Sequence, residues 1–225
     1  MKAVLHAVLI FAAVTTAASL SAQINKDAYK QRSEMMKFNK KLQDAKVSKA
    51  SKNRAKEDKK DGWKASGSMP LEQQYERAAV YENSFEDDMV TPKFVSGEGQ
   101  SVAGVYDGAK MQALELARQT LIGSIETDIT QLVDNNISNE QISSDDANTV
   151  VKTLNRSKSI MSKKLGQTIP AIERYRKLPN GNYEVYIRTF YSMDRAREIS
   201  KAVLRAELEK ESEDLAKKLD KMLGW

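Results

Sequence analysis

The first 22 residues constrain this chain most, because they predict export. The compartment in turn limits how the folded protein can be stabilised and which reactions it can carry out. Met1-Lys2 gives a positive start, residues 3–18 are almost wholly apolar or small, and residues 18–22 end the run with small side chains. This order is typical of a secretory signal peptide. We expect cleavage after Ala22, with Ser21 as the alternative. An uncleaved anchor is the competing interpretation, since the run is near the lower length limit for a membrane span.

The residue types that are missing limit the chemistry further. The chain has no cysteine, and its one histidine, His6, lies inside the predicted signal. Disulfides, thiolate zinc sites and Ser-His-Asp or Cys-His catalysis are therefore excluded for the exported part. Carboxylate-only chemistry and a Ser–Lys pair stay open. We expect neither a metal nor a cofactor.

Charge divides the remaining chain in two. Residues 23–66 hold 14 Lys and Arg against 6 Asp and Glu, whereas residues 67–225 hold 21 against 25. We interpret 23–66 as a basic helical arm with a connector, and 67–225 as the domain. Such an arm suits an anionic polymer or lipid surface, and the export prediction sets nucleic acid aside. The alternative is a solvated helix that only keeps the protein soluble. The candidate contact residues are Lys37, Lys40, Lys41 and Lys46.

The arm is predicted to be helical. Residues 24–61 contain no Gly or Pro, and a narrow apolar stripe recurs at three- and four-residue steps. We expect a helix over about 27–46 and a weaker continuation to Lys60, packed on the domain, on a second copy or on a membrane interface. A homo-oligomer through the terminal helices is one such arrangement. In the connector, Trp63 is predicted to anchor on the domain.

The domain is predicted to be α+β, with a core over about 92–200. A strand starts near residue 93, and Gly97 and Gly99 are read as a bulge where that strand meets a helix. Helices are expected over 106–133, from about 143 to Gly166, and from Ser192 to about 223. Between the last two, Asn180-Gly181 predicts a hairpin of strands 168–178 and 182–192. The sheet, one strand plus the hairpin, is expected to pack on two or three long helices.

Two sets of side chains are candidates for chemistry. On the hairpin, Arg174, Arg176 and Arg188 cluster near aromatic residues, as a patch for an acidic partner or as an ordinary polar sheet face. A carboxylate-dependent cell-wall hydrolase is the enzymatic alternative. It would draw on Glu98, which lies between two glycines, and on Asp107, Glu115 and Glu184, although no motif pairs them.

Residues 94–199 carry a family resemblance. The Gly97-Glu98-Gly99 strand followed by the alanine-spaced helix 106–117 resembles exported bacterial envelope proteins. These are the outer-membrane lipoprotein antigens of the twenty-kilodalton class, the amino-terminal domain of flagellar assembly protein T and, more closely, uncharacterised exported proteins of Bacteroidetes. The resemblance implies an envelope-associated, non-enzymatic α+β module. Together with the export signal and the basic arm, we expect an interaction or structural protein in the periplasm or at the outer membrane, with another envelope protein or an anionic envelope polymer or lipid as partner. The lipidated cysteine of the lipoproteins is absent here, so anchoring does not carry over.

Overall fold

The computed structural model describes residues 46–138, 143–166 and 168–222, together with the isolated positions 33, 37 and 40. The chain divides into two compact units, Met1–Lys46 and Val47–Trp225. The second is α+β, as predicted. Its elements, in chain order, are α1 Lys49–Lys60, β1 Lys64–Ala65, α2 Leu71–Glu82, β2 Phe94–Ala103, α3 Tyr106–Ser138, α4 Ser144–Arg156, α5 Lys158–Leu165, β3 Ile169–Lys177, β4 Tyr183–Ser192, α6 Met193–Glu211 and α7 Glu213–Met222.

The sheet is antiparallel and has the strand order β1-β3-β4-β2. The predicted hairpin is confirmed as β3 and β4. At its turn the Leu178 N–H donates to the Asn182 carbonyl at 2.8 Å, and Gly181 adopts a φ of 86°. That left-handed conformation is one that glycine reaches without steric cost. The predicted single strand is β2, which pairs with β4 along all ten of its residues. The short β1 was not foreseen.

Helix α3 packs on one face of the sheet so closely that its backbone contacts the backbone of β2 at two glycines. A Cβ built on Gly97 would stand 2.2 Å from the Ala117 carbonyl oxygen, and one on Gly99 would stand 2.2 Å from that of Ala113. Ala109, Ala113 and Ala117 are fully buried against this face. The predicted bulge is wrong, because the β2–β4 register runs through both glycines without a shift. The glycines serve the close approach of the helix instead.

The second half of α3 packs with the four later helices around an aliphatic core. Buried members include Leu121, Ile125, Ile129, Leu154 and Leu204. Two helices predicted as continuous are interrupted. Ser157, whose hydroxyl donates to the Thr153 carbonyl at 2.7 Å, separates α4 from α5. Ser212 is extended, at φ −161°, and its hydroxyl accepts the Leu215 N–H at the start of α7.

The opposite face of the sheet is covered by α1, α2 and the connector. Ser51, Ala55 and Asp58 form the buried side of α1, and β1 adds to the sheet beside β3. On α2, Tyr81 stacks on Phe190 with ring centroids 5.0 Å apart. Residues 47–66, which the charge pattern had assigned to the arm, therefore belong to the same compact unit as the sheet. The division lies after Lys46 because these residues supply buried contacts that charge counting does not register.

Candidate functional site

Three arginines and one tryptophan meet on the sheet face that α1 and α2 cover. Cross-strand pairs Ile172↔Arg188, Arg174↔Tyr186 and Arg176↔Glu184 put these side chains on one face. The guanidinium carbons of Arg174 and Arg176 lie 4.4 and 4.6 Å from the Trp63 ring centroid. Arg174 also lies 4.8 Å from the Tyr186 ring. Trp63 is only 7% exposed, which confirms the predicted anchor. We call Arg174, Arg176 and Arg188 the arginine layer.

Each member of the arginine layer binds a carboxylate of the same chain. Arg174 pairs with Asp58 of α1 and Arg188 with Glu82 of α2, while the Arg176 Nε lies 2.6 Å from a Glu184 oxygen. Two of the three partners thus come from the helices that cover the face. The positive charge is largely neutralised within the fold. The arrangement favours the structural alternative, in which the arginines dock α1 and α2, over a patch for an acidic partner.

Two tyrosines complete the layer as hydrogen-bond donors. Tyr75 donates to Asp58, and Tyr186 donates to a Glu98 oxygen at 2.6 Å. Burial, together with the Asp58 hydrogen bond, raises the pKa of Tyr75 to about 12. Burial and the Glu98 carboxylate also raise the pKa of Tyr186. Both hydroxyls therefore stay protonated near neutral pH, where they hold the carboxylates in place.

The four acids of the hydrolase alternative do not come together at one site. Glu98 and Glu184 share the arginine-layer face, where Glu98 accepts from Tyr186, and Glu184 from Arg176 and Gln100. Asp107 and Glu115 are exposed on α3, the helix that packs on the other face. Within residues 46–138, 143–166 and 168–222, no three acidic or other metal-ligating side chains converge on a common point.

The four turn and backbone candidates have structural roles. Gly97 and Gly99 admit α3 to the sheet, and Gly181 makes the hairpin turn. The Asn180 side chain accepts the Asn182 N–H at 3.1 Å and so closes the same turn. These residues position the sheet and carry no chemistry of their own.

The predicted arm lysines fall mostly at the margin of the described chain. Lys37 and Lys40 are exposed helical positions, and Lys46 is exposed just before α1. Lys41 lies outside the described residues. The weaker continuation predicted to Lys60 is realised as α1, a capped helix in its own right: the Ser48 hydroxyl accepts the Ser51 N–H, and the Ser48 N–H donates to Glu76 at 2.8 Å.

A row of lysines on α1 was not singled out from the sequence. Residue spacing by three or four places these side chains in one row along the helix, separate from the buried Ser51, Ala55 and Asp58, and all of them are exposed. Among the described residues, none has a carboxylate within 4 Å, whereas the neighbouring Lys59 pairs with Glu72. We call this row the lysine ridge: Lys49, Lys52, Lys56 and Lys60. The spacing of these lysines was visible in the sequence, but it indicates an exposed row only when the buried residues of α1 are known.

Among the described residues, the arginine layer is neutralised by carboxylates of the fold, and the lysine ridge is open to solvent. Over the described residues, no helix combines the length and apolar composition needed to cross a bilayer. Comparison with protein-family models, with curated proteins and with solved structures finds no match to this chain.

Proposed function

We propose that this chain is an exported cell-envelope protein that acts as a non-catalytic interaction module in the periplasm or at the outer membrane. One observation carries the proposal. The polar sheet face is closed by α1, α2 and Trp63, with its arginines paired internally, while the lysine ridge stays open to solvent. A surface that is rigidly held and electrostatically unsatisfied suits binding to another envelope component.

The amino-terminal sequence supports the location. Its positive start, apolar run and small-residue end have the layout of a signal peptide, and a chain without cysteine needs no oxidising help to fold after export. The candidate partners are another envelope protein, an anionic envelope polymer and an anionic lipid surface. All three are compatible with a cationic contact.

Cell fractionation of the full chain with a carboxy-terminal tag tests the proposal. We expect a processed protein that begins at residue 23 or 22, found in the periplasmic or envelope fraction. Replacing the four ridge lysines by Gln should move it from the envelope pellet to the soluble periplasm. An unprocessed chain in the cytosol would contradict the proposed location. Unchanged sedimentation of the Gln variant would contradict the ridge as the contact.

The hydrolase alternative is checked on the same purified protein. We expect no release of soluble fragments from peptidoglycan by the mature chain or by its Glu98→Gln variant. Turnover by the mature chain that disappears in Glu98→Gln would replace the binding role with a catalytic one. A matched control is Glu198→Gln, since Glu198 is an exposed acid on α6 and is not among the four candidates.

A further inference from the structure

We propose that the lysine ridge binds a linear acidic polysaccharide laid along α1. The inference rests on the proposed function and names the class of partner. It follows from three properties of the ridge: its straightness, its unfavourable local electrostatics, and the side chains that are missing around it.

The ridge is straight and narrow. Successive helix residues turn by about 100°, so Lys49, Lys52, Lys56 and Lys60 fall within an arc of about 80°. Eleven steps of about 1.5 Å give it a length of about 16 Å. The buried residues Ser51, Ala55 and Asp58 lie outside this arc. Four charges in a line match an extended chain of regularly spaced anions better than a compact ligand.

The spacing of the ridge lysines lowers the stability of α1. Lys52 and Lys56, and Lys56 and Lys60, are like-charge pairs at four-residue spacing, and each such pair costs a few tenths of a kcal/mol. The first turn contains no acidic residue, although the helix dipole favours one there. The helix is instead held by tertiary contacts, chiefly the Asp58 carboxylate with Arg174 and Tyr75. Lys60, in the last turn, is favoured by the helix dipole, but Lys49, Lys52 and Lys56 have no such position and no carboxylate partner among the described residues. An anionic ligand accounts for the alignment of all four.

The surroundings of the ridge favour a saccharide polymer over two other polyanions. A helix that enters a bilayer interface needs large apolar side chains beside its lysines, and apart from Ala50 the exposed residues of α1 are polar or charged. Single-stranded nucleic acid is bound with aromatic platforms and arginine. The ridge has no aromatic residue, and the one arginine of α1, Arg54, lies over the Tyr75 ring at 5.1 Å. A row of charge within a polar surface, with no aromatic or large apolar side chain beside it on α1, matches an acidic polysaccharide.

Binding of the mature chain to polygalacturonate tests the proposal, with neutral dextran as the uncharged polymer. We expect binding at low salt that weakens steeply as salt rises, because the exposed charges are screened. The variant with Gln at all four ridge positions should bind about tenfold more weakly or worse, since each lysine near an anionic surface contributes on the order of 1 kcal/mol. Its thermal midpoint should equal or slightly exceed that of the unaltered chain, because all four side chains are exposed and two like-charge pairs are removed.

The control removes the same charge elsewhere. The control variant has Gln at four exposed lysines outside α1: Lys152, Lys163, Lys164 and Lys210. Its binding to polygalacturonate should stay within about twofold of the unaltered chain, because the proposal attributes binding to the charge of the ridge and not to the net charge of the protein. Equal loss in both variants would reduce the effect to net charge and overturn the proposal. So would no binding at low salt, or ridge-dependent binding only to phosphatidylglycerol vesicles or to oligodeoxythymidine. Any of these results leaves the export test unaffected, so the two proposals can fail separately.

Discussion

At the residue scale, Gly97 and Gly99 show how two missing side chains decide a helix position. The nearest atoms to an added Cβ are backbone atoms of α3, at 2.2 to 2.5 Å, which cannot move as a side-chain tip would. The identity of the glycines was visible in the sequence. Their purpose was not, because a bulge and a close helix approach demand the same residue.

Gly97→Ala should lower the free energy of unfolding by about 1–3 kcal/mol or more, the range for overpacking a tight contact. Gly123→Ala is the matched control, because a Cβ there meets nothing within 4 Å. Gly123 lies in the interior of α3, so this change should raise stability by up to about 1 kcal/mol. Urea unfolding of both variants measures the difference. Equal midpoints would show that α3 does not lie as close to β2 as the structure has it.

Asp58 is the second residue on which much depends. Its carboxylate accepts from Tyr75 and pairs with Arg174, and the Asp58 and Arg174 side chains are 12% and 15% exposed. Asp58→Asn should cost about 2–4 kcal/mol, because it leaves the Arg174 charge largely buried without its counter-ion. Glu209→Gln breaks an exposed pair with Arg205 and should cost about 0.5 kcal/mol or less. Denaturant titrations compare them, and similar small losses in both would contradict the docking role of Asp58.

At the element scale, what could be read from the sequence depends on how local the signal is. The Asn180-Gly181 hairpin and the alanine face of α3 were predicted because a turn residue or a helical period specifies each of them. Packing of the arm helix on the domain was one of three predicted arrangements, and the Trp63 anchor was predicted as well. The contacts that dock α1, such as Asp58 with Arg174, were not, because they join residues distant in sequence. The candidate arginine cluster was found, but its internal carboxylate partners require the tertiary structure.

The pairing of α1 with α2 should weaken in acid. Glu72 and Glu76 stand one turn apart on α2, and hydrogen bonds from Lys59 and Ser48 of α1 lower the pKa of each. A carboxylate whose pKa is lower when folded stabilises fully above its unfolded value of about 4.3, and this contribution is lost as pH falls through the folded value. Amide exchange of α1 should therefore accelerate relative to α3 as pH falls below about 4, after correction for intrinsic rates. Glu72→Gln with Glu76→Gln should abolish that extra pH dependence.

At the scale of the whole molecule, the sheet has a helical cover on each side, and the two covers are specified differently. One cover is α3, a single long helix whose buried face follows from the helical spacing of its alanine, leucine and isoleucine residues. The other is assembled from α1, Trp63, β1 and α2, and is fastened by ion pairs and aromatic contacts. The lysine ridge sits on this second cover. The helix that carries the ridge also supplies Asp58, the ion-pair partner of Arg174 in the arginine layer.

Truncation distinguishes an appended arm from an integral cover. A chain that begins at Val47, the start of the second compact unit, should unfold cooperatively with the thermal midpoint of the mature protein. A chain that begins at Gly67 lacks Asp58, Trp63 and β1, leaves Arg174 without its carboxylate and exposes the sheet face. We expect it to lose at least about 3 kcal/mol, comparable with deleting a buried tryptophan alone. If calorimetry gave both chains the same midpoint, residues 47–66 would be an arm after all, and the ridge would lose the rigid support on which its alignment depends.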